Sequence, residues 1–388
     1  MRTYQIISAD GHLEVPADRL APYIPEKHRD SAPVLVTKDD GTEWWRLGEW
    51  ERDSVGNLVC DLPYDEFVSP TGARYHTMDG APRPGTGSAA QRLREQDLDG
   101  IDAEVLFPPV YMGSFIRLLA TKDVEAYKSI VRAYNTYLAE EYCSVAPDRL
   151  IGNGMVLETG VDDAIEEMER CKHMGLRSVS LRLWPNGGDG YDPDDDRFFA
   201  ASLDMDVKLS PHANFGGMAI TPPNQTFRAS PRFALGTANM FPGAISTIGD
   251  LIHYGIFDRY PALKFYFAET QAGWLAHSLN WMDEFFLRWY SFFNLEAEKL
   301  PSEYIREHCR FSFIADRLAM KFRYYVGTDL LMWGSDFPHS VGTYPYSKEV
   351  IEELFDDVPE KERRQVLVDN VCDFFDLDKS KELTPTPA

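Results

Sequence analysis

The sequence predicts an α/β protein built as a distorted (β/α)8 TIM barrel, with long insertions after strands 1 and 5. Short apolar runs alternate with amphipathic segments along most of the 388 residues, and the apolar runs number eight. Alternating strands and helices form parallel sheets covered by helices, and eight such units favour closure into a barrel. A doubly wound open sheet is the competing architecture. The strand candidates are Tyr4–Ala9, Ala103–Phe107, Leu150–Leu157, Ser178–Leu183, Val207–Pro211, Lys264–Ala268, Phe311–Ile314 and Leu331–Gly334.

Helices are predicted between these strands from apolar spacing. In VDDAIEEMERCKHMG, Val161, Ile165 and Met168 recur at helical spacing, acids occupy the first turn, and Gly175 offers a C-terminal cap. The same pattern predicts further helices at Val124–Val145, Asp250–Phe257, Trp274–Tyr290, Arg317–Val326 and Ser347–Phe355.

We predict one barrel domain over residues 1–377, followed by a frayed tail at 378–388. Two insertions, 13–100 and 215–238, would follow strand ends on the side where barrels bind substrates. The first contains Trp44, Trp45, Trp50 and a Gly/Pro-rich stretch, TMDGAPRPGTGSAAQ, which predicts a mobile loop. We expect its tryptophans and Phe215 to form an apolar lid, with Trp45 and Phe215 contacting substrate. Packing on the barrel rim and contact with a neighbouring subunit are the alternatives, and the subunit contact is the stronger of the two.

Composition limits the function classes. The 39 basic and 62 acidic residues give a net charge of −23, and 44% of residues are hydrophobic, so a disordered protein and a basic nucleic-acid binder are both disfavoured. The five cysteines lack C-x-x-C spacing, which indicates neither a disulfide framework nor a thiolate zinc site. No apolar run approaches the ~18 residues of a membrane span. We therefore expect a cytoplasmic homo-oligomer with a small-molecule substrate and without nucleic-acid or membrane partners.

Four residues at strand ends are candidate metal ligands. Asp10 and His12 lie two apart at the end of the first strand and can face the same way. His212 ends the fifth strand and Asp336 follows the eighth, where a charged side chain is awkward in a core but natural at a barrel rim. Imidazole and carboxylate ligands suit zinc, manganese or ferrous iron. A helix N-cap for Asp336 and a core histidine for His212 are the structural alternatives.

Three further residues are candidates for chemistry at the same mouth. Glu269 ends the sixth strand and could move a proton or bind a second metal ion, or it could be a buried salt-bridge partner. His339, three residues after Asp336, could act as an acid, a base or a substrate contact. Arg182 on the fourth strand could bind a substrate carboxylate or pair with a ligand carboxylate.

Several segments together are similar to one known family: ISADGH, EVLFPP, YNTYLAEEYCSVAPDRL, GLRSVSLRL, FAETQAGW, LPSEYIREH and MWGSDFPHS. They resemble the amidohydrolase-related family, the branch of the superfamily that includes aminocarboxymuconate semialdehyde decarboxylase, over about Tyr4 to Leu377. The resemblance implies a distorted barrel with a divalent metal, held by Asp10, His12, His212 and Asp336. That decarboxylase has H-x-H on its first strand and a histidine on its sixth, where this chain has Asp10 and Glu269.

These features predict a metal-dependent hydrolase or non-oxidative decarboxylase acting on a small aromatic or unsaturated carboxylated compound. The metal would activate a water or polarise the substrate, and Glu269 or His339 would move a proton. Zinc is the first expectation, manganese or iron also fit, and a second ion could bind through Glu269. The alternatives are a non-haem mono- or di-iron oxygenase on the same barrel and a binding scaffold without activity. The chain lacks Walker, G-x-G-x-x-G and G-x-S-x-G motifs, which disfavours phosphate, dinucleotide and serine-hydrolase functions.

Overall fold

Eight parallel strands form one sheet in which each barrel strand pairs with the next one along the chain. This computed structural model describes residues 2–39, 43–53, 83–216, 242–292, 297–339 and 341–387. The barrel strands are β1 (Ile7–His12), β5 (Ala103–Phe107), β6 (Leu150–Met155), β7 (Ser178–Ser180), β8 (Lys208–Leu209), β9 (Phe265–Phe267), β10 (Cys309–Phe313) and β11 (Leu331–Trp333). Each falls on or beside one of the eight predicted strands, and the predicted barrel class is confirmed.

The barrel closes through backbone hydrogen bonds between β1 and the residues after β11. The amide of Asp336 donates to the carbonyl of Asp10 at 2.8 Å, and the amide of His12 donates to the carbonyl of Phe337 at 2.7 Å. Gly334 permits this approach, because a Cβ there would lie 2.5 Å from the Cβ of Asp10. Closure thus places the first and last strand ends side by side.

Helices cover the outside of the barrel. They are α1 (Ala89–Asp99), α2 (Ser114–Ala120), α3 (Val124–Tyr137), α4 (Val161–His173), α5 (Asp196–Met205), α6 (Pro242–His253), α7 (Ile256–Arg259), α8 (Leu275–Trp289), α9 (Pro301–His308), α10 (Arg317–Lys321), α11 (Arg323–Val326), α12 (Ser347–Leu354), α13 (Glu360–Arg364) and α14 (Asn370–Phe375). Local sequence explains their ends. In α1, for example, the Ser88 hydroxyl accepts a hydrogen bond from the Gln91 amide, and Gly100 ends the helix at a φ of 77°.

Two predicted helices are divided in the structure. The predicted helix at 250–257 corresponds to α6 and α7, because Gly255 adopts a φ of 64° between them. The predicted helix at 317–326 is split into α10 and α11 at Phe322, whose φ and ψ of −98° and 12° leave the helical region. A further predicted helix, 124–145, continues beyond α3 as a π-helical turn, Leu138–Tyr142.

The first insertion contains structure that the sequence pattern did not reveal. It includes a three-stranded antiparallel sheet of β2 (Val34–Thr37), β3 (Glu43–Leu47) and β4 (Trp50–Asp53). Alternate residues of β3 are buried, including Trp45. Residues 77–82 of the Gly/Pro-rich stretch and residues 217–238 of the second insertion lie outside the described residues.

The prediction of a frayed tail is wrong for residues 383 and 384. Leu383 is buried, and its amide donates to the carbonyl of Arg2 at 3.0 Å. The amide and the hydroxyl of Thr384 both donate to the Asp148 carboxylate. These bonds attach the tail to the bottom of the barrel, a non-local contact that the local sequence does not indicate.

No helix in the described ranges is long and apolar enough to cross a membrane.

Candidate metal centre

Five acidic and imidazole side chains meet at the carboxyl ends of the barrel strands. Asp10 and His12 end β1, and His212 follows β8. Glu269 and Asp336 follow β9 and β11 at φ values of 53° and 50°. Such left-handed conformations are unfavourable for residues other than glycine and are held here by the surrounding barrel. The structure thus brings together the four predicted ligands and Glu269, although they are spread over most of the chain.

The donor atoms lie at separations that suit one shared ion. His12 Nε2 is 3.0 Å from His212 Nε2 and 3.3 Å from Asp336 Oδ1. His212 Nε2 is 3.7 Å from Asp10 Oδ1 and 3.3 Å from Glu269 Oε2. Ligands about 2.1 Å from a tetrahedral ion lie about 3.4 Å apart, so the observed separations agree with a common cation.

Unsatisfied carboxylate oxygens provide an independent test of this fit. Both oxygens of Asp10 and the Oδ2 atom of Asp336 are buried without a hydrogen-bond partner. An uncompensated buried carboxylate costs several kcal/mol, so these groups require a positive charge. Oxygen and imidazole donors suit a divalent cation, and the residues present therefore fit a metal ion.

The orientation of His12 leaves one ring nitrogen available for a metal. Its Nδ1 lies 3.0 Å from the carbonyl oxygen of Pro108, which can only accept, so Nδ1 carries the proton and donates. The lone pair of Nε2 then faces His212 and the carboxylates. Burial, with a smaller effect from His339, lowers the pKa of His12 and favours the neutral ring that a metal requires.

His339 lies between two carboxylates. Its Nδ1 is 2.9 Å from Asp336 Oδ1, and its Nε2 is 3.2 Å from Glu14 Oε1. Burial disfavours the charged ring, but Asp336 and Glu14 outweigh it and raise the pKa of His339 well above its usual range. The pKa of Asp336 is correspondingly lowered, although burial opposes this. Each ring nitrogen of His339 thus has a carboxylate oxygen within hydrogen-bond distance, and the ring fixes the orientation of the Asp336 carboxylate.

Two residues of this arrangement were missed by the sequence analysis. Glu14 also accepts from the amide of Val110 at 2.9 Å, and it continues the every-second-residue spacing of Asp10 and His12, which is the signal that could have revealed it. Arg92 is fully buried on α1 and donates to the carbonyls of His12 at 3.1 Å and Phe337 at 3.0 Å. It therefore holds the two closing strand ends together, a role without a local sequence signal.

Glu269 lies on the more open side of the cluster. Its side chain is 14% exposed, whereas that of Asp336 is 0% exposed. Burial and then repulsion from Asp336 and Asp10 raise the pKa of Glu269 well above its usual range. A carboxyl group of this kind can hold and release a proton near a substrate.

Arg182 is a mostly buried cation beside the barrel mouth. Its Nη1 lies 2.5 Å from the position that a Cβ on Gly113 would occupy. The loop that ends at Gly113 begins with Pro108, which accepts from His12, and includes Val110, which donates to Glu14. Within the described ranges, no carboxylate pairs with the Arg182 guanidinium, because the nearby Glu158 pairs with Arg117 at 2.9 Å.

The two aromatic residues predicted to contact substrate are both buried. The ring of Trp45 lies 4.2 Å from that of Tyr111, in the same loop after β5, so the small sheet packs onto the barrel mouth. Phe215 packs against Trp184 and Phe265 at ring separations of 5.2 and 5.7 Å, as part of the core. These contacts give both residues a packing role, and their contact with substrate stays a prediction.

Comparison with known proteins agrees with the fold. A sequence model described as Amidohydrolase matches residues 85–377. Among solved structures, an amidohydrolase from Mycobacterium avium subsp. paratuberculosis is 17% identical with a TM-score of 0.71, and the alignment covers 97% of this chain and 98% of that one.

Two further similar structures are named as decarboxylases. The 5-carboxyvanillate decarboxylase of Sphingomonas paucimobilis is 18% identical with a TM-score of 0.64, covering 96% of this chain and 99% of that one. A dihydroxybenzoic acid decarboxylase from Polaromonas, with bound manganese and an inhibitor, is 16% identical with a TM-score of 0.59. That alignment covers 96% of this chain and 97% of the Polaromonas chain. At these identities the likeness is one of fold.

Proposed function

The chain belongs to the amidohydrolase family, and on this premise we propose that it is a metal-dependent decarboxylase that releases carbon dioxide from a small aromatic carboxylic acid. One observation carries the proposal: a cluster of acids that requires a cation and a mostly buried arginine that has no carboxylate partner among the described residues border the same loop, Pro108 to Gly113. A substrate carboxylate would complete the charge balance of Arg182. The names of similar structures support the reaction class.

Asp10, His12, His212 and Asp336 would hold the divalent cation, which when bound supplies Lewis-acid polarisation of a substrate oxygen. Zinc is our first expectation, and manganese or iron also fits this set of carboxylate and imidazole ligands. Glu269, whose Oε2 is 3.3 Å from His212 Nε2, is the candidate ligand for any second ion. Elemental analysis of protein purified without chelators tests the metal and its stoichiometry.

The residues of the chain would then bind, orient and protonate the substrate. Arg182 binds a carboxylate, and the loop from Pro108 to Gly113 closes one side of the mouth. In the reaction the bond between the ring carbon and the carboxyl carbon breaks, its electron pair stays on the ring carbon, and that carbon takes a proton as carbon dioxide leaves. Glu269 supplies this proton and is reprotonated from solvent on its exposed side.

The experiment incubates metal-loaded protein with 2,6-dihydroxybenzoate and 5-carboxyvanillate as probes in deuterium oxide. We expect release of carbon dioxide and one deuterium on the carbon that lost the carboxylate, detected by NMR. The oxygenase alternative instead predicts dioxygen consumption, measured with an oxygen electrode in the same mixture. Metal-loaded protein without carbon dioxide release across a wider panel of aromatic acids would contradict the proposal.

Variants assign the roles of two residues. Glu269→Gln keeps the side-chain volume and removes the transferable proton, so we expect a folded protein that retains one metal equivalent and loses about 10²–10⁴-fold in kcat. Arg182→Gln should raise KM by about 10–100-fold, the effect of losing a charged hydrogen bond of about 1.5–3 kcal/mol. Arg132→Gln, which removes the ion pairs with Glu166 and Glu167 between the outer helices α3 and α4, is the matched control and should leave both constants unchanged.

A further inference from the structure

The fifth barrel strand is the shortest of the eight, and the candidate metal ligand His212 lies just beyond its end. β8 comprises only Lys208–Leu209. Towards β7, the amide of Ser210 still donates to the carbonyl of Val179 at 2.9 Å. The next residue, Pro211, has no amide hydrogen and cannot donate to a neighbouring strand. The strand ladder thus gives the backbone before His212 little support on the β7 side.

A side chain from another strand supports this backbone. Asn153 lies on β6 next to Gly154, and a Cβ on Gly154 would lie 2.8 Å from the sulfur of Cys171 on the outer helix α4. Since successive residues of a strand point to opposite sides, Asn153 faces the barrel interior. Its Nδ2 atom donates to the carbonyl of Ser210 at 3.1 Å, and this bond crosses β7, which lies between β6 and β8 in the sheet. Asn153 thus holds the backbone two residues before His212.

Three buried oxygen atoms face the barrel interior at this place. Asn153 is paired with Ser178 in the β6–β7 ladder, and Ser178 is paired with Lys208 of β8. Paired residues of neighbouring strands point to the same side, as do residues two apart, so Ser178 and Ser210 face the interior with Asn153. All three residues are 0% exposed, and among the described residues their atoms Asn153 Oδ1, Ser178 Oγ and Ser210 Oγ have no hydrogen-bond partner. Buried polar atoms are almost always hydrogen-bonded, so these three oxygens require a further partner.

Water is the partner whose chemistry fits these atoms. The amide oxygen of Asn153 accepts hydrogen bonds, and the hydroxyls of Ser178 and Ser210 can donate as well as accept. None of the three side chains carries a charge that would attract an ion. Barrel interiors are commonly filled by valine, isoleucine and leucine, and two serines in their place leave more room. A buried water makes about two to four hydrogen bonds to polar groups of this kind.

We propose that Asn153, Ser178 and Ser210 form an internal water site, and that this site positions His212 from the side of the barrel opposite the mouth. The water links β6, β7 and β8 just before Pro211, and the Nδ2 atom of Asn153 fixes the Ser210 carbonyl. Both act on the strand end that directs His212 towards the cation. The positioning role rests on the proposed metal centre, whereas the water site does not.

A high-resolution crystal structure tests the water site directly, since electron density for water should lie about 2.7–3.2 Å from the three oxygens. Ser178→Ala and Ser210→Ala each remove one hydrogen bond of the water, so each should raise the equilibrium constant of unfolding about 2–10-fold in urea titrations. A dry site predicts the opposite sign, because each variant would then remove a hydroxyl that has no partner. Missing water density, or serine variants more stable than the wild type, would overturn the water site.

Asn153→Ala tests the positioning role. It removes the bond to the Ser210 carbonyl, so the dissociation constant for cobalt(II) should rise about 10-fold or more while circular dichroism stays unchanged. The visible absorption of bound cobalt(II), which depends on ligand geometry, should also change. Ser202→Ala is the matched control, because Ser202 is also buried and its hydroxyl donates to the Phe199 carbonyl within α5. This control should leave the cobalt(II) affinity and spectrum unchanged.

Ser210→Ala gives a second measure of positioning that does not depend on the folding of Asn153→Ala. It keeps the bond from Asn153 and loses only the water contact, so it should weaken cobalt(II) binding less than Asn153→Ala does. Wild-type affinity and spectrum in both variants, or an equal loss in Ser202→Ala, would overturn the positioning role. A wild type that binds no divalent metal would contradict the proposed function together with the positioning role, whereas the water density would still decide the water site.

Discussion

Replacing Asp10 by asparagine should have opposite effects on the metal-free and the metal-loaded protein. Asp10, Glu269 and Asp336 each place a carboxylate oxygen within 4.8 Å of the others. At that separation two full charges repel by about 3 kcal/mol at an effective dielectric constant of 20. Proton uptake by Glu269 relieves part of this repulsion. We therefore expect Asp10→Asn to stabilise the metal-free protein by about 1–3 kcal/mol.

With a metal bound, the wild type should be more stable than Asp10→Asn. A cation stabilises the folded wild type by about 2.7 kcal/mol at one hundred times its dissociation constant. Asp10→Asn loses a charged ligand and gains less from the metal, so its free energy of unfolding should fall below that of the wild type in saturating zinc or manganese. Urea unfolding after chelator treatment and dialysis, with and without added metal, measures both differences.

A second buried aspartate provides the control. Asp102 lies away from the metal centre and accepts hydrogen bonds from Arg2 and from the amides of Gln5 and Ile6. Asp102→Asn loses a paired charge and should destabilise the protein equally with and without metal. If Asp10→Asn also destabilised the chelated protein, the unpaired oxygens of Asp10 would not be a source of electrostatic strain, and the argument for a cation at this position would fail.

Two further predictions concern other positions. Gly334→Ala should lower the free energy of unfolding by about 1–3 kcal/mol and weaken metal binding, because the added Cβ would lie 2.5 Å from the Cβ of Asp10. Gly190→Ala is the control: a Cβ there meets nothing within 4 Å, so the free energy of unfolding should change by less than about 0.5 kcal/mol. Thermal unfolding measures both changes. Burial raises the pKa of Asp99 to about 6, so the folded state takes up a proton between about pH 4 and pH 6 that the unfolded state does not. The free energy of unfolding of the wild type should therefore fall by about 2–3 kcal/mol relative to that of Asp99→Asn as the pH rises through this window. If the free energies of unfolding of the two proteins changed in parallel with pH, the pKa shift of Asp99 would be contradicted.

The local sequence pattern was sufficient to predict the fold class. A strand or a helix depends on the periodicity of neighbouring residues, and that periodicity indicated all eight barrel strands and the main outer helices. The helix breaks at Gly255 and Phe322 were harder to predict because apolar spacing continues across them. The three strands of the first insertion were not predicted, since β2 is short and much of its surface is exposed.

The candidate site followed from sequence only in part. Asp10 and His12 are two residues apart, so strand geometry alone placed them on one side. Their meeting with Asp336 depends on closure of the barrel, which pairs backbone groups more than 300 residues apart, as in the 2.8 Å bond between Asp336 and Asp10. The role of Arg92 follows only from such non-local contacts, with the carbonyls of His12 and Phe337.

The burial of individual side chains also could not be predicted from the sequence. Sequence suggested that Phe215 lies over the substrate, which stays a prediction, and only the structure shows that Trp184 and Phe265 pack against its ring in the core. The helix predicted at Trp274–Tyr290 likewise has apolar residues at helical spacing, and the structure leaves Trp281 and Phe285 partly exposed. Helical spacing tells which residues share a face, and whether that face meets the barrel or water depends on how the helix is packed, which is a property of the whole chain.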